Sequence, residues 1–148
     1  MISFDTNLLV YAANADSPLQ PRATAFLESL GDRDVVVVCE LMLVEVYLKL
    51  RNPAILRHPL DAAAASAHCQ AFRDNANWHL AESAPVMAEV WRRAAERDFA
   101  IRRIIDARLA LTLRHHGVGE FATTNQKDFE GFGFQHVWNP LAPSRESL

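Results

Sequence analysis

Four acidic side chains, Asp5, Glu45, Asp106 and Asp128, fall at predicted strand ends or on apolar helix faces, places where a carboxylate needs a reason. Asp5 follows the apolar Ile2-Ser3-Phe4, at the C-terminal edge of a predicted strand, the edge where open α/β sheets bind ligands. Aspartate there is also a favoured N-cap for the next helix. Glu45 lies among Leu41, Val44 and Leu48, at spacings that put side chains on one helix face. Burying it there unpaired would be costly, so the plain alternative is that it lies at the stripe's boundary or pairs with an arginine such as Arg51 or Arg102. Asp106 precedes Leu109, Ala110 and Leu113 on one face of its helix, near an N-terminus whose dipole favours an anion. Asn125 and Asp128 follow the strand-like Phe121-Ala122 and so are expected at another strand's C-terminal edge, although Asn-x-x-Asp alone is ordinary turn chemistry. Carboxylates gathered at one rim repel each other unless a cation compensates them, and hard oxygen ligands favour Mg²⁺ or Mn²⁺. The chemistry that fits is metal-assisted phosphodiester hydrolysis, in which the ion activates water and neutralises charge on the attacked phosphate.

Those positions need a scaffold, and the hydrophobic pattern supplies one. Strands are predicted near residues 2–5, 35–38, 78–81, 120–124 and 134–138, the second a β-branched run. Helices are predicted over 8–13, 21–30, 41–51, 61–75, 85–97 and 105–116. Their stops are marked by Gly31, by Asn52-Pro53 and by Gly117. Strands alternating with helices imply an α/β fold: three layers, α/β/α, around a central parallel sheet of about four to five strands. One domain over 1–141 accounts for the pattern, with a short C-terminal tail at 142–148.

Bulk properties narrow the classes. The chain has 148 residues, half of them hydrophobic, with a formal net charge of −3. That charge argues against a broad basic nucleic-acid face, so any such contact must use a local patch or a metal. The cysteines, Cys39 and Cys69, suggest neither a disulfide framework nor a zinc site. No basic-then-apolar leader opens the chain, and the apolar run at 35–44, broken by Glu40, is too short to span a bilayer. A cytoplasmic protein without a membrane segment is expected.

Four segments, Phe4-Asp5-Thr6-Asn7-Leu8-Leu9-Val10-Tyr11, Leu43-Val44-Glu45-Val46-Tyr47, Ile105-Asp106-Ala107-Arg108-Leu109-Ala110 and Thr124-Asn125-Gln126-Lys127-Asp128-Phe129, resemble the PIN-domain ribonucleases. More narrowly they resemble the VapC-type toxins of bacterial toxin–antitoxin pairs, as does the ending Val137-Trp138-Asn139-Pro140. The resemblance implies a PIN-like fold and a Mg²⁺- or Mn²⁺-dependent endoribonuclease. It makes Asp5 and Asp106 the direct metal ligands, and gives Glu45 a part in binding metal or positioning the attacking water. Asp128 completes the cluster, directly or through water, while Asn7 and Thr124 orient the carboxylates. Some relatives carry an acid at the position of Asn125, so Asn125 and Asp128 both stand as candidates for the fourth corner.

Arg102, Arg103 and Arg108 flank Asp106 and are the candidates for gripping an RNA backbone. Arg92 and Arg93, on the preceding helix, read as a solvated face, and His115 and His116 as cations at a helix C-terminus. Tyr47 and Phe26 are apolar residues surplus to the core. The resemblance further implies a homodimer and a groove for a small antitoxin protein. Two other readings compete. An aspartyl-nucleophile phosphatase wants a second acid where Asn7 stands. A non-catalytic PIN-like RNA- or protein-binding module would be expected to have lost one of the acids.

Overall fold

Short runs of β-branched and aromatic residues build the centre of the molecule. The computed structural model describes residues 1–31, 35–82 and 84–143, so the predicted tail lies outside the described residues from 144 onward. Among them are five strands: β1 (Ile2–Phe4), β2 (Val36–Cys39), β3 (Trp78–Ala81), β4 (Glu120–Ala122) and β5 (His136–Trp138). All pair in parallel, in the order β3-β2-β1-β4-β5. Ile2, Ser3 and Phe4 are all fully buried, as are Val36 to Cys39, so both pleat faces of the inner strands are covered. A parallel sheet requires that covering, because its crossover helices lie on its faces.

The helices are α1 (Thr6–Ala13), α2 (Gln20–Ser29), α3 (Glu40–Leu50), α4 (Ala62–Arg73), α5 (Met87–Ala94), α6 (Arg103–His115) and a single turn, α7 (Gln126–Phe129). Asp5 caps α1 and Asp61 caps α4, whose Ala64 amide donates to the Asp61 carboxylate at 2.7 Å. Helix α1 begins at Thr6 and α6 at Arg103, each two residues earlier than the apolar periodicity predicts. Capping and the first polar turn extend a helix beyond its apolar stripe. Helix α7 is unpredicted, since four residues carry no periodicity.

Two packing expectations are overturned. Phe26 is not surplus: its ring meets Phe4 and Trp138 edge-on, each at 6.4 Å between centroids. The stripe of Leu41, Val44 and Leu48 is not the buried face of α3 either. Met42, Leu43, Val46 and Leu50 are buried, whereas Val44 and Leu48 are 54% and 61% exposed. Among the described residues no helix is long and apolar enough to cross a membrane.

Connectivity fixes where a site can form. The chain runs outward from β1 through β2 to β3, then returns to lay β4 and β5 on the other side. The order therefore reverses between β1 and β4, and the crevice beyond the C-terminal ends of such a pair is open to a ligand. Phe4 pairs with Ala122 there, so Asp5 and Thr123 leave the sheet side by side.

Candidate active site

Asp5 is anchored from three directions. Its amide donates to the Ala122 carbonyl at 2.8 Å, continuing the ladder between β1 and β4. Its carboxylate caps α1 through the Asn7 amide at 3.4 Å and accepts the Thr123 hydroxyl at 2.9 Å. Both readings of Asp5, rim acid and helix cap, therefore hold at once. The side chain is only 7% exposed, and burial raises its pKa against the pull of Thr123, the Asn7 amide and Lys49. A charge there is tolerated through its hydrogen bonds.

Glu45 is half-buried on α3, and its Oε2 accepts the Thr6 hydroxyl at 2.8 Å. Neither Arg51 nor Arg102 pairs with it: Arg51 donates to the Tyr47 hydroxyl at 2.9 Å. One turn on from Glu45, Lys49 reaches back over the site and donates to Asn7 Oδ1 at 2.8 Å. Asn7 thus holds Lys49 with its side chain and meets Asp5 only through its backbone amide.

Asp106 sits in the first turn of α6, half-buried. Its carboxyl is pushed up to about 6, first by burial and then by the negative charges of Asp5, Glu45 and Asp128, with Lys49 pulling the other way. Four carboxylates from four separate segments thus act on one locality, with Lys49 the cation that opposes them. Asp128 lies exposed on α7, just beyond the end of β4. Asn125 stands at the N-cap of α7, also exposed, and its amide donates to the Thr123 hydroxyl at 2.9 Å. The hydroxyl that reaches Asp5 is accordingly that of Thr123, where the resemblance pointed to the half-buried Thr124.

Thr123, Thr6 and Lys49 all went unread in the sequence. Lys49 carried a signal, standing four residues after Glu45 on one helix face, the spacing of an acid–base pair.

The arginines divide. Arg102 is exposed at the N-cap of α6, and Arg108 is half-buried on that helix, close enough to act on the Cys39 thiol against Glu45. Arg103 turns away toward α7: its Nη2 donates to the Asp128 carbonyl at 3.0 Å. Arg92 and Arg93 both pair with Glu89, but only Arg92 lies on a solvated face: Arg93 is half-buried and reaches the Gly131 carbonyl, which overturns the reading for that residue. His115 packs edge-on against His116, whose Nε2 lies 3.0 Å from the Glu82 carbonyl oxygen.

The donor set fits a hard divalent ion. It is all oxygen, carries excess negative charge and contains one buried and one half-buried carboxylate, Asp5 and Asp106, whose charges act on one another. Among the described residues no three His, Cys, Asp or Glu side chains converge into a ready-made metal cage.

Comparison with known proteins bears on the family. A PIN domain family model matches residues 2–134. The chain is 54% identical over 141 residues, 95% of its length and 97% of theirs, to Ribonuclease VapC24 of Mycobacterium tuberculosis strains CDC 1551 / Oshkosh and ATCC 25618 / H37Rv. Its fold is similar to that of Mycobacterium tuberculosis VapC20, described as a Sarcin-Ricin loop cleaving toxin, with TM-score 0.60, 19% identity, and 82% and 87% of the two chains covered. It is likewise similar to FitAcB from Neisseria gonorrhoeae, with TM-score 0.62, 21% identity, and 97% and 100% covered.

Proposed function

We propose, for a chain that belongs to the PIN-domain family and within it to the VapC ribonucleases, that the acidic rim hydrolyses RNA and that the protein is the toxin of a toxin–antitoxin pair. The observation that carries the mechanism is the gathering of acids around Asp106, whose carboxyl is lifted to about 6 first by burial and then by the charges of three further carboxylates. Such a concentration of like charge is sustained for a cation to compensate.

In this reading Asp5 and Asp106 would hold Mg²⁺ or Mn²⁺. When bound, the ion supplies a Lewis acid for the attacked phosphate and lowers the pKa of water. Glu45 orients the attacking water through Oε1, since Thr6 holds its Oε2. Thr123 keeps the Asp5 carboxylate turned to the rim, and Lys49, steadied by Asn7, tempers the charge of both aspartates. Asp128, exposed, completes the cluster through water, and Asn125 holds a water or a substrate phosphate beside it. Arg102 and Arg108, bracketing Asp106 on α6, grip the RNA backbone on either side of the scissile bond. The partners are a small antitoxin protein and a second copy of the chain, and the exposed Val44, Leu48 and Ile105 around the rim helices support protein contacts there. An RNA-cutting protein of this kind works in the cytoplasm.

The test is RNA cleavage by the purified protein, freed of antitoxin, with Mg²⁺ or Mn²⁺. Cleavage is expected from wild type, and none from Asp5→Asn or after EDTA. Equal cutting by both proteins, or cutting that survives chelation, would sink the metal mechanism. RNA binding without cutting would favour the non-catalytic module.

A further inference from the structure

Of the acidic residues at the rim, Asp128 is the one that is exposed and that stands on a single helical turn. It is exposed on a helix of four residues, and among the described residues no protein donor reaches its carboxylate. Its place depends on its backbone, and the backbone of 128–133 is gripped from outside. Phe132, 5% exposed, is flanked by Gly131 and Gly133, both at φ +86°, a conformation that favours glycine and lets the chain double back to bury the ring. Two guanidiniums close on that ring: Arg93 Cζ is 5.0 Å from its centroid and Arg103 Cζ is 5.6 Å. Each also donates to the same segment, Arg103 to the Asp128 carbonyl at 3.0 Å and Arg93 to the Gly131 carbonyl at 3.2 Å. Glu89 orients Arg93 from behind at 2.9 Å. Arg103 has no carboxylate partner among the described residues, and its Nε is buried without an acceptor. The ring and the Asp128 carbonyl hold it, and a guanidinium plane serves both contacts where an ammonium would not.

We propose that Arg103, clamped with Arg93 on Phe132, is the positioning residue for Asp128. Arg103 opens α6 and stands one turn before Asp106, so one helix both supplies a rim carboxylate and fixes the distance to another. The inference rests on the active-site reading above and replaces the substrate-gripping role expected for Arg103 from sequence.

Three readouts on Arg103→Lys and Phe132→Leu test it. Amide hydrogen exchange should rise across 125–131 in both variants while α6 beyond Asp106 keeps its protection. Direct Mn²⁺ titration should show binding weakened by roughly tenfold, the scale of losing a group that orients a ligand. In RNA cleavage, either substitution placed on Asp128→Asn should add no further loss, because residues acting through one another do not add. Phe132→Tyr, which keeps the ring, should behave as wild type. Losses that multiply with Asp128→Asn, a rise confined to the KM for RNA, or unchanged exchange at 125–131 would each overturn the clamp. If Arg103→Lys does not fold, Phe132→Leu decides. A wild type that binds Mn²⁺ but cuts no RNA would remove the nuclease reading, and exchange and titration would still judge the clamp.

Discussion

At the scale of the residue, a rim of acids without its ion is a burden on the fold. Asp106 has a folded pKa of about 6 against an ordinary 3.8, so between those values the folded protein holds the proton that the unfolded chain releases. The sign follows: metal-free stability falls as pH rises through that window and stays low above it. Asp106→Asn removes the conflict, and should raise the stability of the EDTA-treated protein near neutral pH by about 1 kcal/mol, after discounting for solvent access. The gain should fade toward about pH 4, where Asp106 is already neutral. Thermal melts at the two pH values check this, and an Asn variant less stable than wild type at both would contradict it. Asp5, Glu45 and Asp106 were legible in the sequence because a carboxylate among apolar residues is conspicuous. Thr123 was not: β4 is buried on both faces, so the inside–outside alternation that would tell Thr123 from Thr124 is missing.

Elements place these residues by register rather than by reach. The pairing of Ser3 with Phe121 and Phe4 with Ala122 sets the end of β4 against the end of β1, and the Thr123 hydroxyl falls on Asp5 as a result. Thr123→Val keeps the β-branched shape the sheet wants and removes the hydroxyl, which is the donor to Asp5 and the acceptor of the Asn125 amide. It should leave the far-UV circular dichroism unchanged and raise the Mg²⁺ needed for half-maximal cleavage by roughly tenfold, with Thr123→Ser restoring it. Equal Mg²⁺ requirements for Val and Ser would refute the role. Strands and long helices were readable because Val35 to Val38 and the alanine-rich stretch of α4 declare their periods. The inward face of α3 was misread for a physical reason. Its sequence, ELMLVEVYLKL, is apolar nearly all round, and periodicity alone cannot choose which apolar stripe meets the core.

For the whole molecule, the site joins the two halves of the sheet, so an ion bound between them should brace the fold. At a Mg²⁺ concentration about a hundredfold above its dissociation constant, linkage gives about 2.7 kcal/mol. For a chain of this size that is a rise in Tm of roughly 5–10 °C. Differential scanning calorimetry with and without Mg²⁺ measures it, and the rise should vanish in Asp5→Asn. A rise that persists in that variant would place the ion elsewhere. The parallel α/β class could be read from alternating elements, but the order β3-β2-β1-β4-β5 could not, because neighbours across the sheet are chosen by packing between distant segments. That order has a consequence in time. Of the five described strands the earliest made is the central one, and the hydroxyl that secures Asp5 arrives 118 positions later. Until β4 emerges, Thr6 can already meet Glu45 and Lys49 can meet Asn7, but the Asp5 carboxylate lacks the hydroxyl that turns it to the rim. Completion of the acidic rim therefore waits on β4, a delay written into the strand order.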